Sequence, residues 1–177
     1  MAPWILEVLQ VVFGDKETIR KTHPFSFLLC PQSPLVIDQQ YTDACLALLG
    51  WDIPVAIMPM PLMGGTAPGS LLGTLILANC EVLATLCMIQ AGAAGTPIIY
   101  APVVALSNLR DGTYSAGAVE SGLTGAASTE MARYYGLPVE ASGGGTSQYA
   151  PNIQSSYERA LNSILPVLSW PDILVGP

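Results

Sequence analysis

Six residues stand where this sequence could do chemistry: Met60, Gly64, Tyr100, Glu120, Gly144 and Gln148. Tyr100 ends an apolar run, and Tyr114 and Tyr149 lie on stretches that read as neighbouring loops. Aromatic faces beside a carboxylate suit a cation without a hydrogen-bond handle, because the ring quadrupole attracts charge directly. Glu120, at the start of an expected helix, would supply that carboxylate. The same position equally suits an acid that only complements the helix dipole. Gly143-Gly144-Gly145 leads into Thr146, Ser147 and Gln148, a bare-backbone stretch able to cradle a phosphate or to make a tight strand-to-helix turn. The next cation along the chain is Arg159, so a phosphate there has poor charge support. Met58, Met60 and Met63 give either a soft, adaptable wall or core filler.

Other chemistries have less behind them. The cysteines are Cys30, Cys45, Cys80 and Cys87, without a C-x-x-C pair, and His23 is the only histidine. A zinc site would therefore need residues to converge with no local spacing motif. The thiols read as small buried apolar groups, with Cys80 and Cys87 on one helix face. Glu81, inside an apolar run, reads as bonded to neighbouring protein groups rather than to a ligand. No bound metal or directly bound cofactor is expected.

Composition narrows the class. Apolar residues make up 51% and charged residues 11%, and no Lys or Arg lies between Lys21 and Arg110. A net charge of −7 with scattered acids excludes a basic nucleic-acid footprint. The run from Leu71 to Ile89 is nearly long enough to span a bilayer, but Asn79 and Glu81 at its middle argue for a helix packed in protein. Met1-Ala2-Pro3-Trp4 has no basic n-region, so a secretory signal is not expected and the cytoplasm is the expected compartment.

The elements that must position these residues alternate. Helices are predicted over Trp4–Phe13, Gln39–Leu49, Leu71–Gln90, Glu120–Tyr135 and Asn152–Val167. Strands are predicted at Phe25–Cys30, Pro54–Met58, Pro97–Ala101, Leu137–Ser142 and Asp172–Val175. Between them, Asp15 to Lys21 reads as a polar patch, and Met58–Ser70 and Pro102–Ala118 read as loops. Thr66 or Ser70 could cap the long helix, and Gly64 and Gly65 could take positive φ. Alternating apolar strands and helices imply a parallel sheet covered by helices. Each Gly/Pro-rich loop follows a strand, which places the chemistry at the strands' C-terminal ends. The expected fold is α/β: a partial (β/α)8 TIM barrel of about five parallel strands, with residues 1–177 as one incomplete domain. A full barrel takes roughly 250 residues. No G-x-G-x-x-G follows a strand, which disfavours a dinucleotide fold. The six named residues are expected to line one open cavity.

Several runs carry a family resemblance. Gly64-Gly65-Thr66-Ala67-Pro68, Asn79-Cys80-Glu81-Val82-Leu83-Ala84 and Gly95-Thr96-Pro97-Ile98-Ile99-Tyr100 are similar to the trimethylamine methyltransferase family, which includes the glycine betaine methyltransferases. Arg133-Tyr134-Tyr135-Gly136-Leu137-Pro138 and the later Gln154, Tyr157 and Glu158 extend the resemblance from about Phe25 to Pro177. It implies a (β/α)8 barrel that moves a methyl group from trimethylamine or a related methylated or quaternary amine to a corrinoid (cobalamin). That corrinoid is carried by a separate partner protein docking over the barrel mouth, and Gly143–Gly145 would let its flat face approach bare backbone. The expected partners are the corrinoid protein, a small methylated amine and further copies of the chain, with no nucleic acid and no membrane.

The sequence departs from the family pattern in three ways. Family members are much longer. Gln148, Tyr149 and Asn152 stand where charged residues are expected. The pyrrolysine of the trimethylamine enzymes is absent, which leads to two alternative expectations: an amber codon following Pro177, or a ragged sequencing boundary there. The alternatives are a noncatalytic quaternary-amine binder and an unrelated barrel enzyme acting on a phosphorylated metabolite.

Overall fold

The computed structural model describes residues 2–176. In chain order the elements are α1 (Ala2–Phe13), α2 (Lys16–Thr22), β1 (Phe27–Leu29), α3 (Gln39–Leu48), β2 (Val55–Ile57), β3 (Leu62–Met63), α4 (Leu71–Gly92), β4 (Ile98–Tyr100), β5 (Ala105–Ser107), β6 (Tyr114–Ser115), α5 (Val119–Tyr135), β7 (Glu140–Ser142), α6 (Ile153–Leu168) and β8 (Ile173–Val175). β1, β2 and β4 pair in that order and in parallel, with Val55 opposite Ile98 and Ile57 opposite Tyr100. A parallel bridge from Tyr100 to Val139 carries the order to β7, which pairs in parallel with β8. The expected strands are thus adjacent, parallel and in chain order. Parallel strands need a crossover connection, and strands consecutive in the chain tend to lie side by side.

The two faces of this ladder differ. Phe27, Leu29, Val55, Ile57, Ile98, Tyr100 and Val139 share one core with Cys45 and Leu48 of α3, Val82 and Ile89 of α4, and Ala132 of α5. Successive strand residues point to opposite faces, so Leu28, Ala56, Ile99 and Glu140 lie on the other one. Leu28 and Ile173 remain exposed there. That face, opposite the helix-side core, is the ladder's inner face.

Local chemistry sets the helix ends. Asp15, Asp38 and Ser70 accept backbone N–H bonds at the N-termini of α2, α3 and α4, and Asn152 does the same for α6 in a reciprocal pair with Ser155. Thr66 caps no helix; its hydroxyl accepts from Leu62 N at 3.0 Å and tightens the turn after β3. Gly64 takes positive φ there, whereas Gly65 does not. Gly136 ends α5 with φ 67°, where its N–H bonds to Ala132 and Arg133.

α4 is long and apolar enough to cross a bilayer by length and composition, yet Glu81 at its middle is only 2% exposed. The Glu81 carboxylate accepts from Ser33 Oγ and Leu35 N, both at 2.8 Å. As expected, that charge is held by protein. The thiol expectation needs correcting, since Cys80 and Cys87 are exposed and only Cys45 is buried. Both exposed thiols share the α4 face that carries exposed Leu72 and Ile76, turned away from the core residues Val82 and Ile89. The expected loops are also more regular than the sequence suggests. β3 pairs with β5 in parallel and β5 with β6 antiparallel, a small sheet beyond the C-terminal ends of β2 and β4. The polar patch after Asp15 folds as α2.

Candidate functional site

Loops following β2, β4, β7 and β8 meet around a cavity of about 190 Å³. Its wall includes Met58, Val104, Tyr114, Ser121, Ser142 and Asn162, together with Gly143, Gly145 and Gly176. The glycines are required by close backbone approach. A Cβ on Gly145 would stand 2.7 Å from Ala116 O, and one on Gly176 would collide with Gly143 O. Asn162 Nδ2 donates to Gly145 O at 2.8 Å and to Ala116 O at 3.1 Å, tying the loop after β7 to the segment after β6. Asn162 Oδ1 and Ser121 Oγ are buried without a partner among the described residues, although both residues belong to the cavity wall. Orphaned buried polar atoms are uncommon in folded proteins, which makes this wall unlike the rest of the interior.

A second cavity of about 400 Å³ adjoins the first through Tyr114 and Ala116. It is lined further by Asn108, Thr113, Ser147, Gln148 and Tyr149. Glu158 organises its rim. The carboxylate accepts from Thr146 Oγ1 at 2.7 Å, Ser147 N at 2.9 Å and Gln154 Nε2 at 2.7 Å. Those bonds, the one from Gln154 first, hold its pKa below the usual carboxylate range. Gly117 packs against this side chain with no room for a Cβ. On the other rim, Asp111 accepts from Thr113 N and Oγ1, which lowers its pKa too. Burial pushes the Tyr114 phenol up.

The structure gathers some of the six sequence candidates and separates others. Gln148 lines the larger cavity, its Oε1 accepting from Asn152 Nδ2 at 3.2 Å. Gly144, with φ 74°, sits between the wall residues Gly143 and Gly145, and its carbonyl accepts from Arg159 Nη1 at 2.9 Å. Met60, 51% exposed, lies between β2 and β3, and Gly64 turns beneath Leu109 after β3. Glu120 occupies the first turn of α5, half-buried, while its neighbour Ser121 reaches the cavity wall. Tyr100 departs from expectation. It is 2% exposed and packs in the helix-side core, where its hydroxyl donates to Asn79 Oδ1 at 3.0 Å. Asn79 Nδ2 in turn donates to Tyr135 OH at 2.9 Å. Tyr100 is therefore a core residue, because it follows Ile98 in the alternation that points toward α4. Tyr114 and Tyr149 both line the larger cavity. Ser121, Ser142 and Asn162 are additions that the sequence analysis did not single out. Asn162 carried a weak signal, as a polar residue between Leu161 and Ile164.

The chemistry of the walls is uniform. No charged side chain lines either cavity, and the described residues contain no His, Cys, Asp or Glu group able to hold a metal ion. Ring faces, hydroxyls, amides and bare backbone suit a small, weakly hydrated ligand better than a phosphate.

Comparison with known proteins adds the family. The trimethylamine methyltransferase (MTTB) family profile matches residues 2–170. Trimethylamine methyltransferase MttB of Methanosarcina barkeri (strain Fusaro) is 34% identical over 163 residues, which is 92% of this chain and 33% of that protein. MttB of Desulfitobacterium hafniense (strain DCB-2) is 30% identical over 172 residues, or 97% of this chain and 35% of that protein. The glycine betaine methyltransferase of Desulfitobacterium hafniense (strain Y51) is 35% identical over 153 residues, 86% of this chain and 32% of that protein. The chain spans about a third of the length of these curated relatives. With its parallel strands, glycine-lined cavity and matched residues together, this chain belongs to the trimethylamine methyltransferase family.

Proposed function

We propose that the whole protein moves a methyl group from trimethylamine or a related methylated amine to the corrinoid of a cytoplasmic partner protein, and that this chain supplies part of a (β/α)8 barrel. The observation that carries this reading is the uncharged, tyrosine-bearing cavity at the C-terminal ends of in-order parallel strands. It occurs in a chain whose relatives are named for trimethylamine and glycine betaine. Tyr114 and Tyr149 offer ring faces to the methylated nitrogen. Gly144 and Gln148 form one rim of the mouth, with exposed Met60 before β3 and Gly64 just after it.

The residues present fit a docked corrinoid: the rim is rich in glycine, carries a flexible Met, and holds no bulky charged side chain in either cavity wall. Bound there, a corrinoid would supply the cobalt that accepts the methyl group. The chain's own residues orient the amine and keep water from it. The phosphorylated-metabolite alternative lacks a Lys or Arg in either wall.

The test is methyl transfer from trimethylamine, and separately from glycine betaine, to free reduced cobalamin by the whole protein, followed by absorbance. Transfer is expected from one of them. Ammonium binding without transfer would point to a noncatalytic binder. Inorganic phosphate binding without amine binding would point to the phosphorylated-metabolite enzyme.

A further inference from the structure

The inner face of the parallel ladder carries a carboxylate that neither cavity wall includes. Tyr100 and Val139 are bridged in parallel, and both belong to the helix-side core. Strand alternation therefore puts Glu140 on the opposite face. The residues it joins there are apolar: Leu28, Ala56, Ile99 and Ile173, with Ile173 its direct partner in register. Glu140 is the one charged side chain that the described residues of these strands place on this face.

Its height along the strands matters as much as its face. β2 ends at Ile57 and β4 at Tyr100, and the bridge sets Tyr100 level with Val139. Glu140 is one residue beyond, level with the C-terminal ends of both strands. Ser142 follows on the same face about 7 Å farther along. Ser142 and its register partner Val175 both line the 190 Å³ cavity, as does Met58 just past β2. Glu140 thus sits just below the cavity whose wall also holds the unpartnered polar atoms of Ser121 and Asn162.

Nothing among the described residues occupies this carboxylate. Glu81, Glu158 and Asp111 each accept two or more hydrogen bonds, whereas the Glu140 side chain accepts none. The other titratable groups at these strands are differently placed. Tyr100 faces the helices, Asp172 Oδ2 accepts from Val139 N at 2.8 Å, and Cys30, just past β1, has a thiol pushed up by burial. Burial likewise raises the Glu140 pKa, as befits a carboxylate lacking a counter-charge.

We infer that Glu140, rather than Glu120, supplies the negative charge that holds the methylated ammonium against the inner strand face, just below the 190 Å³ cavity, as a residue that determines specificity for a cation. The inference rests on the amine reading above. An apolar wall with one carboxylate suits a cation that is bulky, weakly hydrated and unable to saturate hydrogen-bond acceptors. Quaternary and tertiary ammonium ions have that character, and a metal ion does not, since it would need several converging oxygen ligands.

The experiment is calorimetric binding of trimethylammonium and tetramethylammonium to the full chain, its E140Q variant and its E120Q variant, across the whole pH range in which they stay folded. Thermal melts verify that each variant is folded. The expected result is at least a tenfold loss of affinity in E140Q and no change in E120Q. Wild-type affinity should fall as the pH drops through the raised Glu140 pKa, and E140Q should show no such dependence. Unchanged binding in E140Q, or pH-independent binding by the wild type, would overturn the inference while leaving the amine reading intact. A wild-type chain that binds neither ion would overturn both.

Discussion

The two faces of the parallel ladder use polar side chains in opposite ways. On the helix side, Asn79 bonds at once to Tyr100 and Tyr135, and Glu81 accepts two bonds from the segment after β1. Every one of those groups is satisfied by protein. On the inner side and the cavity above it, Glu140 accepts no side-chain bond, and Ser121 Oγ and Asn162 Oδ1 have no partner. Burial costs a polar group its water, and only a partner offsets that cost. Polar groups on the first face therefore serve the fold. The unpartnered ones on the second are those proposed to meet a ligand.

The largest effect expected from this contrast is on the helix side. Asn79→Leu leaves the buried Tyr100 hydroxyl and the half-buried Tyr135 hydroxyl without their shared amide, at a cost of about 3 kcal/mol in urea unfolding. Ammonium binding per folded molecule should not change. If that variant lost binding but kept its stability, the division between the faces would be wrong.

Gly145→Ala comes next and sharpens the comparison at the boundary. Its methyl group would meet Ala116 O at 2.7 Å, so the loop must shift, at a cost of about 1–3 kcal/mol. Unlike Asn79→Leu, it should weaken stability and ammonium binding together, as unfolding and calorimetry would show.

These two variants also mark what was legible in the sequence. Strand order could be read because each apolar run is punctuated by Pro or Gly and followed by a helix-length segment. Facing was harder. Pro97-Ile98-Ile99-Tyr100 is apolar throughout, so nothing in it says which face Tyr100 takes, and the ring went to the core. In Val139-Glu140-Ala141-Ser142 the alternation is visible, and it does mark Glu140 and Ser142 as one face. Asn162 left only a weak trace and Ser121 none, because their significance is an unmade bond that exists only once α5 and α6 pack together. β3, β5 and β6 are two or three residues long and leave no periodic trace.

Glu158→Gln should have a more local effect. The Glu158 pKa is lowered, so its anchoring of Thr146 and Ser147 is present above the ordinary glutamate value of about 4.3 and is lost as pH falls through the lower folded value. Amide exchange over residues 146–148 should rise in the variant at pH 7, and in the wild type only in acid. The smallest change in stability belongs to Tyr149→Ala. The side chain is fully exposed, so unfolding should move by less than about 0.5 kcal/mol. Ammonium affinity should drop severalfold if the ring faces the ligand.

The most direct measurement of the contrast is the unfolding free energy of wild type and Glu140→Gln as a function of pH. Burial raises the folded pKa of Glu140, so its protonated form is the one the fold favours. That contribution is complete below about pH 4.3, the ordinary glutamate value, and is lost as pH rises through the folded value. The account predicts that at pH 7 the glutamine variant is at least as stable as the wild type. A variant markedly less stable at pH 7 would show that the carboxylate is bonded for the fold's sake, and would contradict the assignment of the inner face to a ligand.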